Sequence, residues 1–82
     1  MPKQKPSARA ELLKTIEANI RYGQARLGYT RETIARALDC SKATVSTRMV
    51  HPETLTVEEL WRISRLLHTT PDALFREMKF TE

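Results

Sequence analysis

The chain has 82 residues, 40% of them hydrophobic, with 14 Lys/Arg against 10 Asp/Glu and a formal charge of +4. That size gives one small domain and a core that is compact but marginal. A single cysteine, Cys40, excludes an intrachain disulfide framework and favours a reducing compartment. Cys40, His51 and His68 cannot make a Cys/His zinc site without carboxylates or a partner chain, so no metal is expected. Gly23 and Gly28 alone exclude a phosphate-binding P-loop and a dinucleotide fingerprint. No apolar run is long enough to span a membrane, and the basic start lacks the apolar stretch of a signal peptide. The expectation is a cytoplasmic protein without cofactor or small-molecule substrate.

In chain order, residues 1–6 (two Pro, two Lys) read as a flexible basic arm. Ser7 caps a first helix over about 8–26, with Leu12, Leu13, Ile16 and Ile20 as its apolar stripe and Gly28 as its stop. Gly23 inside it costs about 1 kcal/mol relative to Ala and marks either a close helix contact or early fraying. Thr30 caps a second helix ending near Asp39, with Ile34, Ala35 and Leu38 inward. Ser41 caps a third over about 42–49, with Val45 inward and Met49 beside it. Two short helices joined by about three residues form a helix-turn-helix pattern.

His51-Pro52 interrupts the helical pattern. Thr56 and Glu59 form a capping box for a fourth helix through Leu67, whose inner face is Val57, Leu60, Trp61, Ile63, Ser64 and Leu67. Thr70-Pro71-Asp72 has the chemistry of a fifth helix start, running to about Met78 with Leu74, Phe75 and Met78 on one side. The expected fold is all-α and compact, with five helices: a domain over 7–78 and a tail over 79–82. Charge divides along the chain. Residues 1–50 carry 10 basic against 4 acidic residues (+6), and 51–82 carry 4 against 6 (−2). Such a layout suits a module with one face for an anionic partner.

Thr30, Arg31-Glu32, Ile34-Ala35, Leu38, Asp39-Cys40-Ser41 and Val45 form an ordered set. It continues with Thr56, Leu60, Ile63, Leu67 and Asp72-Ala73-Leu74-Phe75. Over residues 10–77 the set resembles the Cro/lambda-repressor-like (XRE-type) helix-turn-helix family. The sequence departs from that family's pattern at Asp39, where Gly is preferred, at Gly23, where Leu is common, and at Arg48, where an apolar residue seats the helix. Asp tolerates the positive φ such a turn often needs. For Arg48, either its aliphatic stem covers the core, or Met49 takes the seat.

The resemblance implies that the third helix enters the major groove of DNA. Its outward residues Lys42, Ala43, Ser46 and Thr47 then read base edges: a cation for guanine, methyl groups for thymine, and hydroxyls for several bases. Thr30, Arg31, Ser41, Thr44 and Arg48 face phosphates, and Lys3 and Lys5 are arm contacts. One such domain covers little DNA, so a homodimer on a pseudo-palindromic operator is implied, with recognition helices about 34 Å apart. Trp61, Leu66, Phe75, Met78 and Phe80 are the spare apolar residues for that contact, although Trp61 also fits the core. The expected function is a non-enzymatic, sequence-specific transcriptional regulator, a repressor of phage or bacterial type. A protein-interaction adaptor or an antitoxin with the same fold is the alternative.

Overall fold

A computed structural model describes residues 7–76, and all regular structure among them is helical. Four α-helices, α1 (Ala8–Leu27), α2 (Arg31–Leu38), α3 (Lys42–Val50) and α4 (Val57–Leu66), are joined by short turns. A 3-10 helix, Pro52–Thr54, lies between α3 and α4, and a second, Pro71–Phe75, follows α4. The arm residues Lys3 and Lys5 and the tail residues Met78 and Phe80 lie outside the described residues.

Every α-helix starts on a hydroxyl. Ser7 Oγ accepts from the Ala10 amide at 3.0 Å, and Ser41 Oγ accepts from the Thr44 amide at 3.1 Å. Thr30 and Thr33 cap one another reciprocally, as do Thr56 and Glu59. These bonds satisfy first-turn amides that have no partner within the helix.

Three of the four helices stop by one device, a residue in the left-handed region followed by a six-to-one backbone hydrogen bond. Gly28 (φ 72°) ends α1, with the Tyr29 amide donating to the Gln24 carbonyl at 2.9 Å. Asp39 (φ 56°) ends α2, with Cys40 donating to Ala35 at 3.0 Å. His68 (φ 60°) ends α4, with Thr69 donating to Ser64 at 2.8 Å. The left-handed Asp39 is as expected from sequence; the left-handed His68 is not.

The core joins Ile16 and Ile20 of α1 to Ile34, Ala35 and Leu38 of α2 and to Val45 and Met49 of α3. Ile63, Leu67 and Leu74 close it. Met49, not Arg48, seats α3. Gly23 is a close contact: a Cβ there would stand 2.8 Å from Leu67 Cδ1. A side chain at that position would require the Leu67 side chain to shift.

Three expectations are corrected. Leu12 is 42% exposed, because the buried side of α1 runs through Ile16, Ile20 and Gly23. On α4, Val57 (84% exposed) and Trp61 (47%) lie outside the inner face, which is narrowed to Leu60, Ile63, Ser64 and the following Leu67. The expected fifth helix is a five-residue 3-10 segment. Its bonds span three residues, Ala73 N to Thr70 O and Arg76 N to Ala73 O. The side-chain amide of buried Asn19 donates to the carbonyls of Ala73 (3.3 Å), Leu74 (2.8 Å) and Arg76 (2.9 Å). Asn19 thereby holds carbonyls that an α-helix would use to continue.

Candidate nucleic-acid interface

Three residues, Asp39, Cys40 and Ser41, separate α2 from α3. The left-handed Asp39 reverses the chain, half-buried Cys40 packs on the core, and Ser41 restarts the helix. Val45 and Met49 fasten α3 from beneath. The remaining residues of its first two turns face outward. Lys42, Ala43 and Thr47 are exposed, while Thr44 and Ser46 are half-buried. No residue of α3 is acidic.

Hydrogen bonding defines what each side chain still offers. Thr47 donates its hydroxyl to the Ala43 carbonyl at 3.2 Å, so its methyl and its oxygen lone pairs remain for a partner. Ser46 accepts a hydrogen bond from Arg31 Nη1, which leaves the Ser46 hydroxyl proton to donate. That bond also pins Arg31, the first residue of α2, against α3. Thr30 and Ser41 spend their oxygens on helix capping, and the Thr44 hydroxyl lies 3.0 Å from Ser41 Oγ. Their contribution to an anion is therefore a rigid helix start more than a free hydroxyl.

Arg48 is placed differently from the other cations. Its Nε donates to Glu59 Oε1 at 3.1 Å, the same oxygen that accepts the Thr56 amide at 3.0 Å. The pair ties the end of α3 to the capping box of α4, and both side chains are largely shielded from solvent. Arg48 thus links the two helices.

Sequence reasoning missed two residues of α1. Arg21 and Gln24 line an open cleft of about 390 Å³ together with Arg31, Ser46, Met49 and Val50. Arg21 holds Glu17 at 2.9 Å one turn earlier and is itself well exposed. The three-residue spacing of Arg21 and Gln24, flanking the apolar stripe, is the available signal; it gains meaning only when α1 is set beside α2 and α3. Two guanidinium groups, an amide and a hydroxyl around one cleft can hold a phosphate oxygen.

Of the residues expected to join two copies, Trp61, Leu66 and Phe75 are among the described residues. Leu66 is half-buried against the core, Trp61 is exposed on α4, and Phe75 is 41% exposed on the last 3-10 helix. Among the described residues, no three His, Cys, Asp or Glu side chains cluster as a metal site requires, and no helix is long and apolar enough to cross a membrane. Compared with protein-family models, with curated proteins and with solved structures, the chain matches none.

Proposed function

We propose that this protein binds double-stranded DNA sequence-specifically and regulates transcription, as a repressor of the Cro/lambda-repressor-like type. In this reading α2, the Asp39–Ser41 turn and α3 act as a helix-turn-helix, and α3 enters the major groove. One observation carries it: the outer face of α3 presents Lys42, Ala43 and Thr47 to solvent with no acidic side chain in the helix. A face of small residues and one cation lets base edges approach closely, and it carries no charge that repels the phosphate backbone.

Lys42 donates to guanine O6 and N7, and Ala43 and the Thr47 methyl meet thymine methyls. Ser46 donates and Thr47 accepts at neighbouring base edges, following the hydrogen bonds each makes within the protein. Phosphates sit against Arg31, Arg21 and Gln24 on one side and the capped start of α3 on the other. Two copies acting together supply the area and the half-site spacing that one small domain lacks.

The test is a titration of labelled duplex DNA at increasing salt. With several phosphates neutralised, the affinity falls by orders of magnitude between about 50 and 200 mM salt. Absence of binding at low salt, or an affinity indifferent to salt, overturns the proposal.

A further inference from the structure

The outer side of α4 carries apolar area that the other described residues leave uncovered. Val57 and Trp61, four residues apart, lie on one side of the helix and are 84% and 47% exposed. Trp61 is the only tryptophan in the chain. Exposed aromatic residues are characteristic of the centres of protein interfaces.

The charges beside this stripe indicate what covers it. Glu58 stands in the first turn of α4 and Arg65 in its last. Glu58 Oε2 accepts from Arg62 Nε at 2.9 Å, which leaves Oε1 for another donor. The Arg65 guanidinium lies 5.1 Å from the centre of the Trp61 ring, at the edge of the same face. A second α4 laid parallel would oppose Glu58 to Glu58 and Arg65 to Arg65. Laid antiparallel, it opposes each Glu58 to an Arg65 of the other copy.

The register is consistent with that arrangement. Glu58 and Arg65 are seven residues apart, about 10.5 Å along the helix. Their midpoint falls beside Trp61, so a two-fold axis that pairs the charges also sets one Trp61 against the other. A two-fold interface requires such self-complementarity, since each contact occurs twice.

We propose that a second copy of this chain covers the outer face of α4, antiparallel, with Trp61 at the centre and two Glu58–Arg65 ion pairs at the flanks. This names the surface for the pairing in the DNA-binding reading, but it uses none of the α3 residues, and its test contains no DNA. Its failure therefore leaves the DNA-binding result standing, and the converse holds as well. The area is small beside the roughly 800 Å² per partner of a stable interface, so association is weak and concentration-dependent.

Sedimentation of the full chain from about 1 µM to about 1 mM tests it. The expected mass rises from one chain of 9.5 kDa toward two, and the Trp61 emission shifts to the blue over the same range. Glu58→Arg and Arg65→Glu each weaken association at least about tenfold, whereas an equimolar mixture of the two variants restores it, because every facing pair is again opposite in charge. Circular dichroism verifies that each variant is folded. A single-chain mass up to about 1 mM overturns the proposal for the unaltered protein, whatever the variants do. So does association with no change in Trp61 emission, or a mixture of folded variants that pairs no better than its components.

Discussion

Helices α3 and α4 are of nearly equal length, nine and ten residues, and are held in the same way. Each starts on a hydroxyl cap, and each fully buries only two of its own residues, Val45 and Met49 in one and Ile63 and Ser64 in the other. Their outer faces differ. On the first two turns of α3 the exposed residues are Lys42, Ala43 and Thr47, with Val50 exposed at its end and no acidic residue in the helix, whereas on α4 Glu58 and Arg62 are paired beside Val57 and Trp61. Capping and core residues decide where each helix lies, while the outer face is left to the partner it meets. The unbalanced surface suits the proposed polyanion; the balanced one, with a half-exposed indole, suits the proposed second copy.

The largest effect of a substitution is expected at Asn19, which braces the 3-10 segment behind α4 and has no bond to α3. Asn19→Ala removes the side-chain donor from the Leu74 and Arg76 carbonyls and should cost about 2–3 kcal/mol in urea unfolding, with amide exchange rising first at residues 72–76. Next is a matched pair of outer-face changes. Lys42→Ala on α3 should weaken binding to the preferred duplex by about 1–3 kcal/mol. Arg62→Ala on α4 should leave that affinity unchanged. Equal losses from the two would erase the distinction between the faces.

A smaller gain is expected at the helix stops. His68 takes a left-handed conformation that disfavours side chains, so His68→Gly should stabilise by about 0.5–1 kcal/mol in thermal melts. Asp39→Gly should gain less, since Asp is better adapted to that region. The smallest effect concerns acid. A hydrogen bond from Thr70, with the charge of Arg76 adding to it, holds the Asp72 carboxyl below its ordinary value of 3.8. The stabilisation is therefore present above pH 3.8 and is lost as the pH falls through the lower folded value. Asp72→Asn should flatten that acid limb slightly in melts taken between pH 2 and 5.

Much of the architecture was legible because it is written locally. Ser7, Thr30, Ser41 and Thr56 announce helix starts in their own chemistry, and Gly28 announces a stop. What was not legible depends on residues far apart in the chain. Thr70-Pro71-Asp72 opens any helical turn; that it becomes a 3-10 segment depends on Asn19, more than fifty residues earlier. The periodicity of α4 shows an apolar stripe but not its edges, so Val57 and Trp61 read as inward until packing against α2 and the last 3-10 helix selects Ile63 and Ser64. Gly23 admitted two readings, and the Leu67 side chain decides between them. In the candidate interface, the α3 residues follow from their helix position alone. Arg21 and Gln24 do not, because their place beside Arg31 is made by the fold.

Whether α3 reads DNA sequence is decided by selecting bound sequences from a pool of random duplexes. A short motif should be enriched, and should degrade at defined positions when Lys42 or Thr47 is replaced by alanine. Recovery of unenriched sequence, or of a motif indifferent to both substitutions, would contradict that role for α3.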